Sequence, residues 1–195
     1  MLRDYAPLRF LPLQSVPGVR IAHLAPPPKV TLDSPAHLVM TDFLQTTAVT
    51  IEPDAMADYA TEYMRRRNVR SLVVVDAGEV SGILTATDVL GEKPLKFALA
   101  YAVKRSEIRV SDLMTPRASL ELLAYEEVRQ ARVGHIVATL RRVGRQHFLV
   151  GEHAPDGERV RGIFSLSQVA RQLGIAIEPS GFAQTFAEIE AALMH

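Results

Sequence analysis

The rhythm of apolar and polar positions changes along the chain, and each change marks an element. Residues 1–36 have no regular period and hold seven of the twelve prolines. Proline fixes φ and lacks an N–H, so this segment predicts an extended arm rather than a helix or central strand. Its spaced Leu13, Val16, Val19, Ile21 and Leu24 predict an arm that packs on the domain. The run 48–51 (AVTI) then predicts a short strand. A helix is expected over 54–68, with Asp54 as candidate N-cap and Met56, Ala60, Tyr63 and Met64 on one face. The β-rich run 71–76 (SLVVVD), a turn at Gly78 and the run 80–84 (VSGIL) predict a hairpin, and a helix start follows at TATD, 85–88. A further helix over 94–104 begins with proline in its first position.

The same order then returns. A strand is expected at 119–123 (SLELL), and Val133, Ile136, Val137, Leu140 and Val143 form a helical stripe. HFLVGE, a PDG turn at 155–157 and RVRGIF make a second hairpin, which leads into SLSQ, 165–168. The tail predicts an amphipathic helix over 179–195, capped by Ser180, with Phe182, Phe186, Ile189 and Leu193 as its apolar stripe. Its packing, on its own domain or on a partner, is open.

The chain is therefore an internal repeat. VMT at 39–41 answers LMT at 113–115, and the glycine of SGIL answers that of RGIF. The second copy is about six residues longer, an excess expected around 122–132. Each copy reads β-α-β-β-α, a unit with too little core to stand alone, so the two are expected to pack face to face. The fold class is α/β (α+β), divided as an arm (1–36), repeat one (37–105), repeat two (106–178) and the terminal helix (179–195).

Composition narrows the chemistry. The 195 residues are 48% hydrophobic and 23% charged, with zero formal net charge. That balance argues against nucleic acid as a partner. The chain has no cysteine, which excludes disulfides and thiolate chemistry and fits a reducing cytoplasm. No stretch reads as a signal peptide or membrane span, so a cytoplasmic protein with no membrane partner is expected. The six histidines lack metal-ligand spacing, and no metal or cofactor is expected. No catalytic constellation or phosphate-binding glycine loop is legible, and an enzyme is not expected. His147 and His153 read as ordinary polar residues flanking a strand. The arginines at 65–67 and 141–142 close helices, where cations suit the helix dipole and face water. Arg70, Arg145 and Arg161 could instead clamp a phosphate across a cleft.

TATD admits two readings. As a capping box, Thr85 and Asp88 satisfy free N–H groups of the first helical turn, and SLSQ fits the same role with Gln168 in place of the acid. As a ligand site, a helix start with hydroxyls and a carboxylate suits a sugar phosphate.

The ordered repetition of VMT/LMTP, a hydrophobic strand ending in an acid, and a glycine followed by apolar residues and Thr/Ser-x-x-Asp resembles a tandem pair of cystathionine-β-synthase-type (CBS) domains, the Bateman module. The resemblance covers about residues 37–176. It implies a pseudo-twofold fold with two clefts, adenosine-containing ligands in those clefts, and a disc-shaped homodimer. It also implies regulation of an enzyme or transporter, here as a separate, unidentified partner. By this resemblance Asp88 is the ribose acid, and Thr85 and Thr87 donate to phosphate. Val69, Arg70 and Ser71 lie by the base, with Val49 and Ile83 as apolar walls. A second, weaker site would use Ser165, Ser167, Gln168, Gln146 and His147. Two functions stay open: a stand-alone module sensing an adenine nucleotide such as AMP, ADP or ATP, or a ligand-free dimerisation or protein-interaction module.

Overall fold

Leu72, Val73 and Val74 are consecutive, apolar and all buried, which a strand permits only if both of its faces are covered. Period two divides them. Leu72 and Val74 face the helices of the first repeat, whereas Val73 faces the opposite sheet with Ile83, Leu149 and Ile163. Phe148 and Val150 likewise face the second repeat's helices, and Leu149 between them joins the layer between the sheets.

The structure, a computed structural model, describes residues 6–21, 29–155, 157–175, 189 and 191. Its strands are β1 (Thr41–Asp42), β2 (Thr50–Ile51), β3 (Ser71–Asp76), β4 (Glu79–Thr85), β5 (Thr115–Pro116), β6 (Leu122–Ala124), β7 (His147–Ala154) and β8 (Gly157–Ser165). They form two four-stranded sheets, ordered β2-β3-β4-β5 and β1-β8-β7-β6. β2 and β3 are parallel, joined by α1 (Ala57–Arg67). β6 and β7 are parallel, joined by α5 (Tyr125–Gln130) and α6 (Val133–Val143). Each hairpin runs into a short helix, α2 (Ala86–Leu90) or α7 (Leu166–Gln172). α3 (Lys93–Tyr101) and α4 (Val110–Leu113) connect the repeats. The mixed α+β class and the repeated unit are as expected.

The sheets exchange edge strands. β1 pairs with β8 of the second hairpin, and β5 pairs with β4 of the first. The repeated glycine and the repeated Met-Thr are thereby two halves of one contact. A Cβ on Gly82 would lie 2.7 Å from both Met114 Sδ and the Thr115 carbonyl oxygen. A Cβ on Gly162 would lie 2.5 Å from the Thr41 carbonyl oxygen and 3.1 Å from Met40 Sδ. Neither site has room for a side chain.

Several local expectations are corrected. Met56, not Asp54, precedes the first turn of α1, and no side chain caps it. The Ala57 N–H instead donates to the Ile108 carbonyl at 2.9 Å, so the chain leading into the second repeat closes this helix end. The predicted strand 119–123 begins later, at Leu122, because Arg117–Ser119 form a 3-10 turn. The extra length of the second copy is not confined to 122–132: the spacing between matched residues is 72 for Thr50 and Leu122, 76 for Val73 and Leu149, and 80 for Ile83 and Ile163, so the hairpin contributes as much as the α5 region.

The arm divides. Residues 6–21 are exposed, with Leu13 72% and Ile21 82% accessible, so these apolar side chains do not pack on the domain. Leu24 lies outside the described residues. Residues 29–39 do pack, and on the second repeat. Val30 and Leu32 lie against its core, Ala36 and Val39 are within it, and the Val133 N–H donates to the Ser34 carbonyl at 2.9 Å. Of the expected terminal helix, Ile189 is buried in that same core; Ser180, Phe182, Phe186 and Leu193 lie outside the described residues.

Candidate functional site

Two clefts open where the sheets meet, and each draws its walls from both repeats. One, about 260 Å³, sets Ile83, Thr85, Thr87 and Asp88 against Leu120, Glu121 and the segment 144–149, which includes Gln146 and His147. The other, about 440 Å³, sets Ser165, Ser167 and Gln168 against Thr41, Val49 and the segment 66–71, which includes Val69, Arg70 and Ser71. The residues grouped on resemblance into a first and a second site are therefore redistributed. Val49, Val69, Arg70 and Ser71 do not share a cleft with Asp88, but with Ser165, Ser167 and Gln168. Gln146 and His147 join Asp88. The pseudo-twofold is the reason: it turns the loop before β7 toward the start of α2, and the loop before β3 toward the start of α7.

At the start of α2 the capping box is complete. The Asp88 N–H donates to Thr85 Oγ1 at 3.3 Å, and the Thr85 N–H donates to Asp88 Oδ2 at 2.8 Å. The Thr85 hydroxyl also donates to Oδ2, at 2.6 Å. Lys93 Nζ donates to Oδ1 at 3.0 Å and reaches the Leu113 carbonyl as well. A carboxylate has about four lone-pair sites, and Asp88 has three engaged. Thr87 Oγ1 donates to Gln146 Oε1 at 3.4 Å, linking the two walls.

The start of α7 is built differently. Ser165 makes no capping bond, so the box expected of SLSQ is not formed. Gln168 Oε1 instead accepts from Thr41 Oγ1 at 3.0 Å, and the Ser165 and Ser167 hydroxyls lie 3.0 Å apart. Gln168 keeps the position and spends its amide oxygen on β1, the exchanged strand.

Charge differs between the clefts. The smaller holds Asp88 and Glu121 with Arg145. The larger holds Arg66, Arg67 and Arg70 and no acid in its wall. Arg66 is bound to Glu62 at 2.9 Å, and Arg67 lies over the Tyr63 ring at 5.9 Å. Arg65 and Arg66 together hold the Glu62 carboxyl down to about 2. Arg70 is exposed and makes no ion pair with any described residue. The other candidate clamps are committed. Arg161 donates twice to Asp42 and once to Glu152, each at 2.8 Å, and lies over the Tyr125 ring at 4.4 Å. That guanidinium holds the Asp42 carboxyl below its ordinary range, and the Asp42 carboxylate in turn raises the pKa of the arginine. Arg145 donates to the Ser119 carbonyl at 2.9 Å and sits 3.7 Å from Glu121.

His147 departs from the sequence reading. It is the first residue of β7, paired with Ser165, and it lines both clefts. Both ring nitrogens are buried without a partner among the described residues. Burial, with Arg70 adding to it and Asp88 opposing it, pushes its pKa down to about 4. His153 is the ordinary case: it is exposed, with Nδ1 2.8 Å from Glu158. Sequence reasoning also missed Lys93, although a lysine five residues after Asp88, just past a short helix, was a visible signal. Among the described residues no group of His, Asp or Glu could hold a metal, and no helix is long and apolar enough to cross a membrane.

Residues 39–94 match the family profile described as CBS domain. The first repeat is therefore similar to a CBS domain. The fold as a whole is similar to several solved structures, one of them of a CBS domain by description. An uncharacterized conserved protein from Pyrococcus horikoshii is 21% identical over 77% of this chain and 100% of its own, with a TM-score of 0.54. CBSX2 in complex with AMP is 20% identical over 71% of this chain and 94% of its own, with a TM-score of 0.50. The CBS domain of the bacterial CNNM/CorC family Mg2+ transporter is 17% identical over 75% and 79%, with a TM-score of 0.52. At these identities the likeness is one of fold, and it extends beyond the first repeat. No curated protein matches the chain in sequence.

Proposed function

We propose that the chain is a CBS-pair regulatory module that binds an adenosine-containing ligand of the AMP, ADP or ATP kind between its repeats and signals to a partner protein. The observation that carries this reading is the composite wall of each cleft. A ligand that touches Thr87 and Asp88 on one side and Gln146 on the other spans both repeats, so its binding energy bears on their relative packing. It can shift that packing only by as much as its affinity differs between the two arrangements. In the smaller cleft Asp88 would accept from ribose hydroxyls; in the larger, Arg70 would face phosphate. The AMP complex of CBSX2 supports the ligand class, and the transporter CBS domain supports an enzyme or transporter as the regulated partner. The reading places the protein in the cytoplasm, without nucleic acid, membrane or catalytic step.

A thermal-shift panel with AMP, ADP, ATP and S-adenosylmethionine at millimolar concentration tests it. At least one should raise Tm, because a ligand that binds only the folded state stabilises that state. No rise with any of them contradicts the reading.

A second reading, a ligand-free association module, has its own support. Leu95 and Leu99 are one turn apart on α3, 64% and 76% exposed, with Leu90 and Tyr101 nearby at 67% each. Both readings include a homodimer, which light scattering would show as twice 21.5 kDa. They part on the thermal-shift panel, where the association module predicts no response.

A further inference from the structure

His147 is the residue common to the two clefts. Asp88 lines one of them and Arg70 the other, and both charges act on the imidazole. Neither ring nitrogen has a partner among the described residues, although both are buried. Buried polar groups in folded proteins are nearly always partnered, so such a ring in the wall of two open clefts points to ligands that complete it. A neutral imidazole carries a single proton: one nitrogen donates, the other accepts. Whatever fixes the proton at one nitrogen fixes the role of the other.

We propose that His147 couples the two clefts through this single ring proton. A ligand hydroxyl donating to the ring from the Asp88 cleft places the proton on the nitrogen that serves the Arg70 cleft, where an anionic oxygen accepts it. Filling either cleft therefore strengthens binding in the other, and by the same factor in both directions. The chemistry of the walls agrees with this direction: the carboxylate side suits a hydroxyl-rich sugar, and the guanidinium side suits phosphate oxygens. The proposal rests on the nucleotide reading above and adds to it a regulatory link between the sites.

The test uses the full chain with adenosine as probe for the Asp88 cleft and pyrophosphate for the Arg70 cleft. Calorimetric titration with adenosine, with and without saturating pyrophosphate, should show affinity tightened about fivefold or more, the low end of couplings between sites. The reverse titration should give the same factor. His147→Phe keeps an aromatic ring and removes both nitrogens; each probe should bind severalfold more weakly alone, having lost a hydrogen bond, and the presence of one probe should no longer change the affinity for the other. A second readout needs no variant. In the parent, the ¹⁵N signals of the His147 ring should move to a single tautomer when both probes are present. Independent binding of the two probes, coupling that survives in His147→Phe, or unmoved ring signals would overturn the coupling and leave the nucleotide reading standing. Failure of both probes to bind would overturn the two together.

Discussion

Lys93 Nζ lies 3.0 Å from Asp88 Oδ1, and so the carboxylate at the head of α2 is held from two directions, by its own capping box and by the first residue of α3. A carboxylate held in this way is pre-positioned, but it has few lone pairs to offer. Lys93→Met should free one of them. The pair is half-exposed, with side-chain accessibilities of 45% and 16%, so its loss should cost at most about 1 kcal/mol of stability. If Asp88 receives a ribose, the same change should tighten adenosine binding severalfold in calorimetric titration. Unchanged affinity would show that the freed oxygen meets no ligand.

Gly82→Ala and Gly162→Ala should each cost about 1–3 kcal/mol in urea unfolding, the usual range for an overfilled site, because the new methyl meets backbone oxygen as well as methionine. Gly134 is the control. Its Cβ would lie 3.5 Å from the nearest atom, the Leu32 carbonyl oxygen, and the residue sits in the first turn of α6. Gly134→Ala should be neutral or stabilise by up to about 1 kcal/mol. A mild effect at Gly82 would mean that β5 does not hold its place on β4.

His147 predicts an acid-sensitive fold. Its folded pKa, about 4, lies below the ordinary 6.5, so the unfolded chain binds more protons between those values. The neutral ring's contribution is fully present above pH 6.5 and is lost as pH falls toward 4. Arg70 and Asp88 act on the ring, and Arg145 and Glu121 line the same cleft. Asp42, whose carboxyl is lowered by Arg161, adds a loss in the same direction, so the comparison must be with a variant. Urea melts at pH 7 and 4.5 should show the parent losing on the order of 2 kcal/mol more than His147→Phe. Equal losses would place the ring in water.

Deleting residues 1–28 should leave Tm unchanged, since residues 6–21 bury nothing, whereas extending the deletion to residue 36 removes Val30, Leu32 and Ala36 from the second core and should unfold the protein. Circular dichroism melts of the two truncations check this. A large loss from the shorter deletion would give the arm a place in the fold.

The legible parts of the sequence were those written in local rhythm. The hairpins, α1, α6 and the repeat itself follow from periodicity, and the apolar runs at 72–74 and 148–150 announce strands covered on both faces. What was not legible depends on how the repeats meet. Gly82 and Met114 are 32 residues apart, and only the strand exchange makes them one contact. Asp54 has the chemistry of a cap, yet a backbone carbonyl from Ile108 does that work. The resemblance grouped Asp88 with Arg70, and Ser71 and Thr85 do pair in one sheet, but the pseudo-twofold turns the Asp88 and Arg70 side chains into different clefts. His147 looked like a polar residue at a strand edge, and its burial follows only from the second sheet laid across it.

The central claim is that a nucleotide sits between the repeats with its ribose on Asp88, and calorimetric titration of the parent and Asp88→Asn with AMP and 2′,3′-dideoxy-AMP tests it most directly. Asparagine keeps a side chain able to cap α2 and removes the charge, so the variant should stay folded. The parent should bind AMP more tightly than the dideoxy analogue. Asp88→Asn should lose a charge-assisted bond of about 1.5–3 kcal/mol, roughly a 10- to 150-fold weaker affinity for AMP. Equal binding of AMP by parent and variant, or no preference of the parent for AMP over its dideoxy analogue, would contradict the account and leave TATD as the cap of a helix.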